Sequence, residues 1–178
     1  QTTFEEQRHR RVRAFLAHYG RTRLDRTSAL VWFDTYRAAY EHAWRPYDDV
    51  MPFLQGLADV RPRPSVAVVT NGDEEQQHAK LTAIGLSQLP LFASSSMGAR
   101  KPDPRVFHDV CAALEVSPDA AWFIGDNLEA DAQGASAAGL CGIWLNRDGS
   151  TDQRAEPPRA SSLIAVLEWA RAGSDAIG

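Results

Sequence analysis

The chain has 178 residues, 44% of them hydrophobic and 24% charged, with a formal net charge of −4. That describes one ordinary soluble domain, or a core with a small lid, with enough apolar material to bury a real core. The negative balance gives no electrostatic basis for binding nucleic acid or an anionic membrane. No stretch reaches the ~18 apolar residues of a membrane span, and no signal peptide is visible.

Phe4 to Tyr19 places Val12, Phe15, Leu16 and Tyr19 at i, i+3, i+4 and i+7, which predicts a helix stopped by Gly20. Arg8, Arg10, Arg11 and Arg13 fall between these apolar positions and suit a solvated helix face rather than a binding patch. A second helix is predicted from Thr27 to Trp44, with Leu30, Phe33, Tyr40 and Trp44 on one stripe and Pro46 ending it. Two neighbouring helices with no strand between them predict a helical hairpin over residues 1–46.

Beyond Pro46 the pattern changes. Asp48 is the expected cap of a short helix to Leu57, and Ser65–Thr70 (SVAVVT) is expected to be a strand buried on both faces. A helix over Glu74–Ile84 stopped by Gly85, a strand over Leu91–Ser94 and a helix over Pro104–Leu114 follow. Then come a strand over Ala121–Ile124, a helix over Glu129–Ala138 stopped by Gly139, and a strand over Cys141–Leu145. Thr151–Ala160, with Pro157 and Pro158, is expected to be a surface loop before a last helix over Ser161–Ala172. Strands alternating with helices predict a doubly wound parallel α/β sheet over residues 47–178. Cys111 and Cys141 sit far apart in apolar surroundings, outside any metal-binding spacing. They are expected to be buried free thiols, which suits a reducing cytosol and a cytoplasmic location.

Ligands of such sheets bind beyond the carboxyl ends of the strands. The first predicted strand ends in Thr70-Asn71-Gly72. Arg100-Lys101-Pro102-Asp103-Pro104 opens a helix, and a later strand runs into Gly125-Asp126-Asn127-Leu128-Glu129-Ala130-Asp131. A hydroxyl, an ammonium and two carboxylates thus converge on one edge of the sheet, and phosphoryl transfer needs this set. Asp126 and Asp131 offer the hard oxygens that suit Mg²⁺, while Lys101 and Thr70 bind and neutralise phosphate oxygens. Any one of these residues has an ordinary explanation as a turn, cap or surface residue; their order and placement together do not.

With these residues in view, the chain resembles the haloacid dehalogenase-like hydrolase superfamily, in its phosphatase branch. That family is marked by a DxDxT-like strand end, a strand-end Ser or Thr, a Lys often followed by Pro, and a GDxxxxD-like acidic motif. Thr70 after VAVV, Lys101 in ARKPDPRVF, and Asp126 with Asp131 in FIGDNLEADAQGASAAG resemble the last three. The resemblance covers about residues 25–172. It implies a Rossmann-like core with a small α-helical cap, residues 1–46 being part of that cap. It also implies a Mg²⁺-dependent phosphatase acting through an aspartyl-phosphate on a small phosphorylated metabolite, as a monomer or homodimer. Carried over position by position, Lys101, Thr70 and Asp126 are expected to be catalytic. Thr70, Asn71, Gly72 and Lys101 are expected to bind the phosphate, and Asp126 and Asp131 the metal. Trp32, Tyr36, Tyr40 and Trp44 could line the cap, although a helix–helix stripe explains most of them.

One motif is missing. The chain contains no DxD, and the nearest candidate, Phe33-Asp34-Thr35, falls in a helix-period segment. In the family the strand carrying that motif is central, between the strands predicted at 65–70 and 121–124. Without it, buried backbone groups on two strand edges lose partners at ~1–3 kcal/mol each, against a domain stability of ~5–15 kcal/mol. The expectation is therefore an upstream segment carrying the nucleophile, in a protein longer than this chain, which opens on Gln1. The rival readings are a non-catalytic binding domain of the same fold and a haloacid dehalogenase. A phospho-receiver domain would carry its acidic residues first and its Lys last, the reverse of the order here.

Overall fold

The computed structural model describes residues 28, 31, 32, 35, 36, 41–149 and 156–173. The first predicted helix, its arginines, and Leu30, Phe33, Asp34 and Tyr40 lie outside them. The chain divides into two compact units, Gln1–Arg45 and Pro46–Gly178. In the first, Ser28, Val31, Trp32, Thr35, Tyr36, Glu41 and His42 are helical. Trp32 and Tyr36, one turn apart, stack at 5.6 Å between ring centroids.

The second unit alternates helices and strands. Helix α1 (Val50–Gly56) runs into a 3₁₀ turn, and β1 (Val68–Thr70) leads to α2 (Glu74–Ala83). Next are β2 (Leu91–Ala93), the single turn α3 (Ser94–Met97) and α4 (Pro104–Ala113). Strand β3 (Trp122–Gly125) is followed by a π-helical turn (Leu128–Gln133) continuing as α5 (Gly134–Ala137). Strands β4 (Cys141–Leu145) and β5 (Arg159–Ala160) and helix α6 (Leu163–Ala172) complete it.

Local chemistry explains the helix starts. Asp73 accepts from Gln76 N, Asp103 from Arg105 N and Ser162 from Ala165 N, each relieving one unpaired amide of a first turn. Pro104 at the first position of α4 gives up no needed donor, and Gly85 at φ +75° follows the end of α2.

All strand pairs are parallel, in two sheets ordered β1-β2 and β3-β4-β5. Helices cover both faces of the larger one. Phe53, Leu57, Val166 and Leu167 of the α1 and α6 regions pack with Ile143 on one face. Phe107, Cys111, Ala135 and Ala138 pack with Phe123 on the other, the Phe107 and Phe123 rings meeting edge to face at 5.0 Å. Cys111 and Cys141 are free, the first buried and the second half-buried. Burial pushes both thiols up.

Four expectations need correction. The first strand is shorter than Ser65–Thr70 and only half-buried throughout. Asp49, not Asp48, holds the N-cap position of α1, and its carboxylate makes no cap bond because Arg147 and Leu163 N claim it. The helix expected over Glu129–Ala138 opens as a π turn, a form common at functional sites. Within the expected Thr151–Ala160 loop, Arg159 and Ala160 form β5. The outward amides of β4 need acceptors, and Trp144 N and Asn146 N find them at Pro158 O and Ala160 O, both at 2.8 Å. Prolines hid that edge from sequence reading.

The pairing leaves two strand edges open. Along a parallel strand, successive residues direct their backbone groups to alternate sides. Val68 N donates to Pro90 O, so Val68 faces β2 and Val69 faces away. Cys141 N donates to Ala121 O, so Trp122 and Ile124 likewise face away from β4. No strand among the described residues pairs with either outer edge.

Candidate active site

The expected site residues stand at the carboxyl ends of β1 and β3 and at the start of α4. Lys101 is their hub. It is buried at 9% exposure although it is a lysine, a placement that demands partners. Its Nζ donates to Val69 O at 2.9 Å, on the outer edge of β1, and pairs with Asp131 Oδ1 at 2.8 Å. It also lies 5.1 Å from the Phe123 ring centroid on β3. Of its three hydrogens, two are committed to partners among the described residues and the third is not.

Asp131 is 5% exposed. Its second oxygen accepts from Asn127 N at 3.1 Å, which folds the Gly125–Asn127 turn over the carboxylate. Asn127 itself caps the π turn through Ala130 N at 2.8 Å. Gly125 is required by this packing, since a Cβ there would lie 2.3 Å from Asp131 Oδ2. Gly134 is similarly needed against Pro102, where a Cβ would lie 2.8 Å from the proline ring.

Asn71 is turned toward Lys101. Its Nδ2 donates to Lys101 O and its Oδ1 accepts from Lys101 N, each at 2.8 Å. The expected phosphate-binding amide is thus engaged with the protein, with one Nδ2 hydrogen uncommitted. The Asn71–Gly72 turn is buttressed from the segment after β2, where Ser95 Oγ accepts from Glu74 N at 2.9 Å and Ser94 Oγ reaches Gly72 O at 3.5 Å. Thr70 is half-buried at the end of β1, directly after the carbonyl that holds Nζ.

Asp126 follows β3 and is exposed. Its carbonyl accepts from the Trp144 indole on β4 at 3.1 Å, while no described residue forms an ion pair with its carboxylate. No cluster of three His, Cys, Asp or Glu occurs among the described residues. Mg²⁺, however, takes one or two carboxylates and fills its octahedron with water and substrate phosphate. Asp126, a hard and solvent-facing oxygen donor, fits that use directly. Asp131, with both oxygens already accepting, fits it from behind.

The sequence brought Thr70, Asn71, Gly72, Lys101, Asp126 and Asp131 into view, but not Val69 O, Phe123, Asn127 or Trp144. Alternation of Trp122-Phe123-Ile124 between the two faces was the one available signal for Phe123. A cavity of about 320 Å³ lies elsewhere, by the amino ends of β1 and β2, lined by Leu54, Leu57, Val66 and Pro90; it takes no part in this cluster.

A family model described as haloacid dehalogenase-like hydrolase matches residues 2–139. The phosphoserine phosphatase of Thermus thermophilus is 37% identical over 113 residues, 62% of this chain and 44% of the relative. The (S)-2-haloacid dehalogenase 4A of Burkholderia cepacia is 31% identical over 105 residues, 58% of this chain and 45% of the relative. The chain spans less than half the length of these curated relatives. In fold it is similar to a HAD-hydrolase of Bacillus subtilis bound to magnesium, with a TM-score of 0.76 at 25% identity, over 93% of this chain and 71% of that one.

Proposed function

Because the chain belongs to the haloacid dehalogenase-like hydrolases, we propose that it forms the phosphate- and metal-binding part of a Mg²⁺-dependent phosphatase for a small phosphorylated metabolite. The observation that carries this reading is Lys101, buried, paired with Asp131 at 2.8 Å and donating to Val69 O at 2.9 Å, one residue before the strand-end Thr70. A desolvated ammonium with fixed neighbours stabilises charge on a transferring phosphoryl group without reorganisation.

In this reading Lys101 and the Thr70 hydroxyl hold phosphate oxygens, with backbone amides of Asn71 and Gly72 beside them. Asp126 would hold the metal, with Asp131 behind it holding Lys101. Bound there, Mg²⁺ supplies Lewis-acid neutralisation of the phosphoryl oxygens.

The attacking carboxylate and the general acid belong, on this proposal, to a strand upstream of residue 1. Two observations support that placement: the chain contains no DxD, and no described strand pairs with the outer edges of β1 and β3, while Lys101 reaches from one strand to the other. The Asp oxygen would form a bond to phosphorus as the P–O bond to the alcohol breaks, the alcohol taking the acid's proton. Water would then release phosphate from the aspartyl ester. Residues 1–46 are assigned to a helical cap that sets substrate choice. No described helix is long and apolar enough to cross a membrane; a cytoplasmic setting and a monomer or homodimer belong to the same proposal.

The test is hydrolysis of an aryl phosphate by the full-length gene product with and without Mg²⁺. Turnover lost with EDTA and with Asp126→Asn is expected. Halide release from a 2-haloacid instead would establish the dehalogenase reading. A folded full-length protein inert in both assays, with no upstream DxD, would make it a non-catalytic domain of this fold.

A further inference from the structure

We infer that Asn71 is a positioning residue, whose side-chain amide holds the Lys101 backbone in place so that its effect on turnover passes through Lys101 and not through contact with substrate. This rests on the phosphatase reading above. The Asn71 amide meets both backbone groups of one residue thirty positions away, donating to Lys101 O and accepting from Lys101 N at 2.8 Å each. An amide presents a donor and an acceptor side by side in one plane, whereas an ionised carboxylate of the same shape only accepts.

The second observation concerns where Lys101 ends. Its Nζ is held by Val69 O, two residues before Asn71 on the same strand end. A lysine side chain has a flexible four-carbon stem and a freely rotating ammonium. Here it is pinned at its backbone by Asn71 and at its tip by Val69 O and Asp131, which leaves the free Nζ hydrogen a defined direction. Strand end β1 therefore sets both ends of a residue that belongs to a separate segment. Freeing the backbone end would let the ammonium drift, and a displacement of about 1 Å in a group that stabilises the transition state costs on the order of 10²-fold in rate.

The experiment is a double-mutant cycle on the full-length gene product, with Asn71→Ala, Lys101→Ala and both, and with the isosteric Asn71→Asp as a second variant that keeps shape but loses the donor. Steady-state kcat and KM are read with an aryl phosphate and Mg²⁺. The expected result is a kcat lower by roughly 10²-fold in either Asn71 variant, with KM within about threefold. In the Lys101→Ala background the Asn71 change should cost less than about threefold further. A raised KM at unchanged kcat, or losses that multiply, would overturn the inference while leaving the phosphatase reading intact. If the wild-type protein itself does not turn over, the phosphatase reading fails, and reductive methylation read by mass spectrometry decides. Protection of the Lys101 amine in wild type and its loss in both Asn71 variants would support positioning, and equal labelling would refute it.

Discussion

Asp49 grips Arg147 through two hydrogen bonds, Nη1 to Oδ2 at 2.7 Å and Nη2 to Oδ1 at 2.9 Å, across ninety-eight positions of sequence. The same carboxylate accepts from Leu163 N at 2.9 Å, at the first turn of α6, where the helix dipole favours an anion. Tyr47 closes the arrangement from outside, its ring 4.3 Å from the guanidinium. One side chain thereby ties the entry to the second unit, the loop after β4 and the last helix together.

The Arg147 hydrogen bond holds the Asp49 carboxyl below its ordinary value of 3.8, against the opposing effect of burial. A lowered folded value means that the stabilisation is complete above about the unfolded value and disappears as pH falls through the lower, folded one. Asp49→Ala should therefore cost about 2 kcal/mol at pH 7, visible as a lower urea midpoint. The gap to wild type should narrow in urea titrations taken progressively below pH 3.8. A gap that stays constant with pH would show that the carboxylate charge plays no part.

Gly125 has no room for a side chain. The added Cβ would lie 2.3 Å from Asp131 Oδ2 and 2.5 Å from its Cγ. Gly125→Ala should then displace Asp131 from Lys101, costing about 1–3 kcal/mol of stability and at least tenfold in turnover. Gly98, at φ +69° with nothing within 4 Å of its Cβ position, is the control. Its replacement by Ala should cost only the left-handed backbone preference, about 1 kcal/mol. Calorimetric melts of the two variants make the comparison, and equal effects would count against the close-packing argument.

Lys101 and Asp131 are both nearly removed from solvent, with side chains 10% and 8% exposed. Removing one partner leaves the other charge buried and uncompensated, at roughly 3–5 kcal/mol. Lys101→Met and Asp131→Asn should each destabilise on that scale. The double variant should recover much of the stability, yet none of the proposed aryl phosphatase activity. Denaturant unfolding and kinetics on the same four proteins would separate the two effects, and a double variant no more stable than either single would contradict this electrostatic account.

Much of the fold was legible in the sequence. Strand β4 falls on the predicted residues, and α2 and α4 end one residue short of prediction. Their signals are local: an Asp cap, a proline at the first helical position, a glycine after the last turn, a short apolar run. The cluster around Lys101 was foreshadowed as a set of residue types, because the segments that follow the strands of a parallel α/β sheet gather beyond its carboxyl edge.

What the sequence determined by itself was therefore the order of elements and the chemistry gathered at the carboxyl edge. These follow from backbone periodicity and from side chains acting on neighbours within a few positions. Only the tertiary structure decided how that chemistry is held. The Asn71 amide turns to the Lys101 backbone, Lys101 is buried on Val69 O and Asp131, and Asp49 leaves its helix cap for Arg147. Strand β5 exists because the outer edge of β4 needed acceptors. Each is a contest among partners far apart in the chain, settled by desolvation once the chain has folded. A buried donor, acceptor or charge must find a partner wherever packing supplies one, and no local pattern encodes which partner that will be.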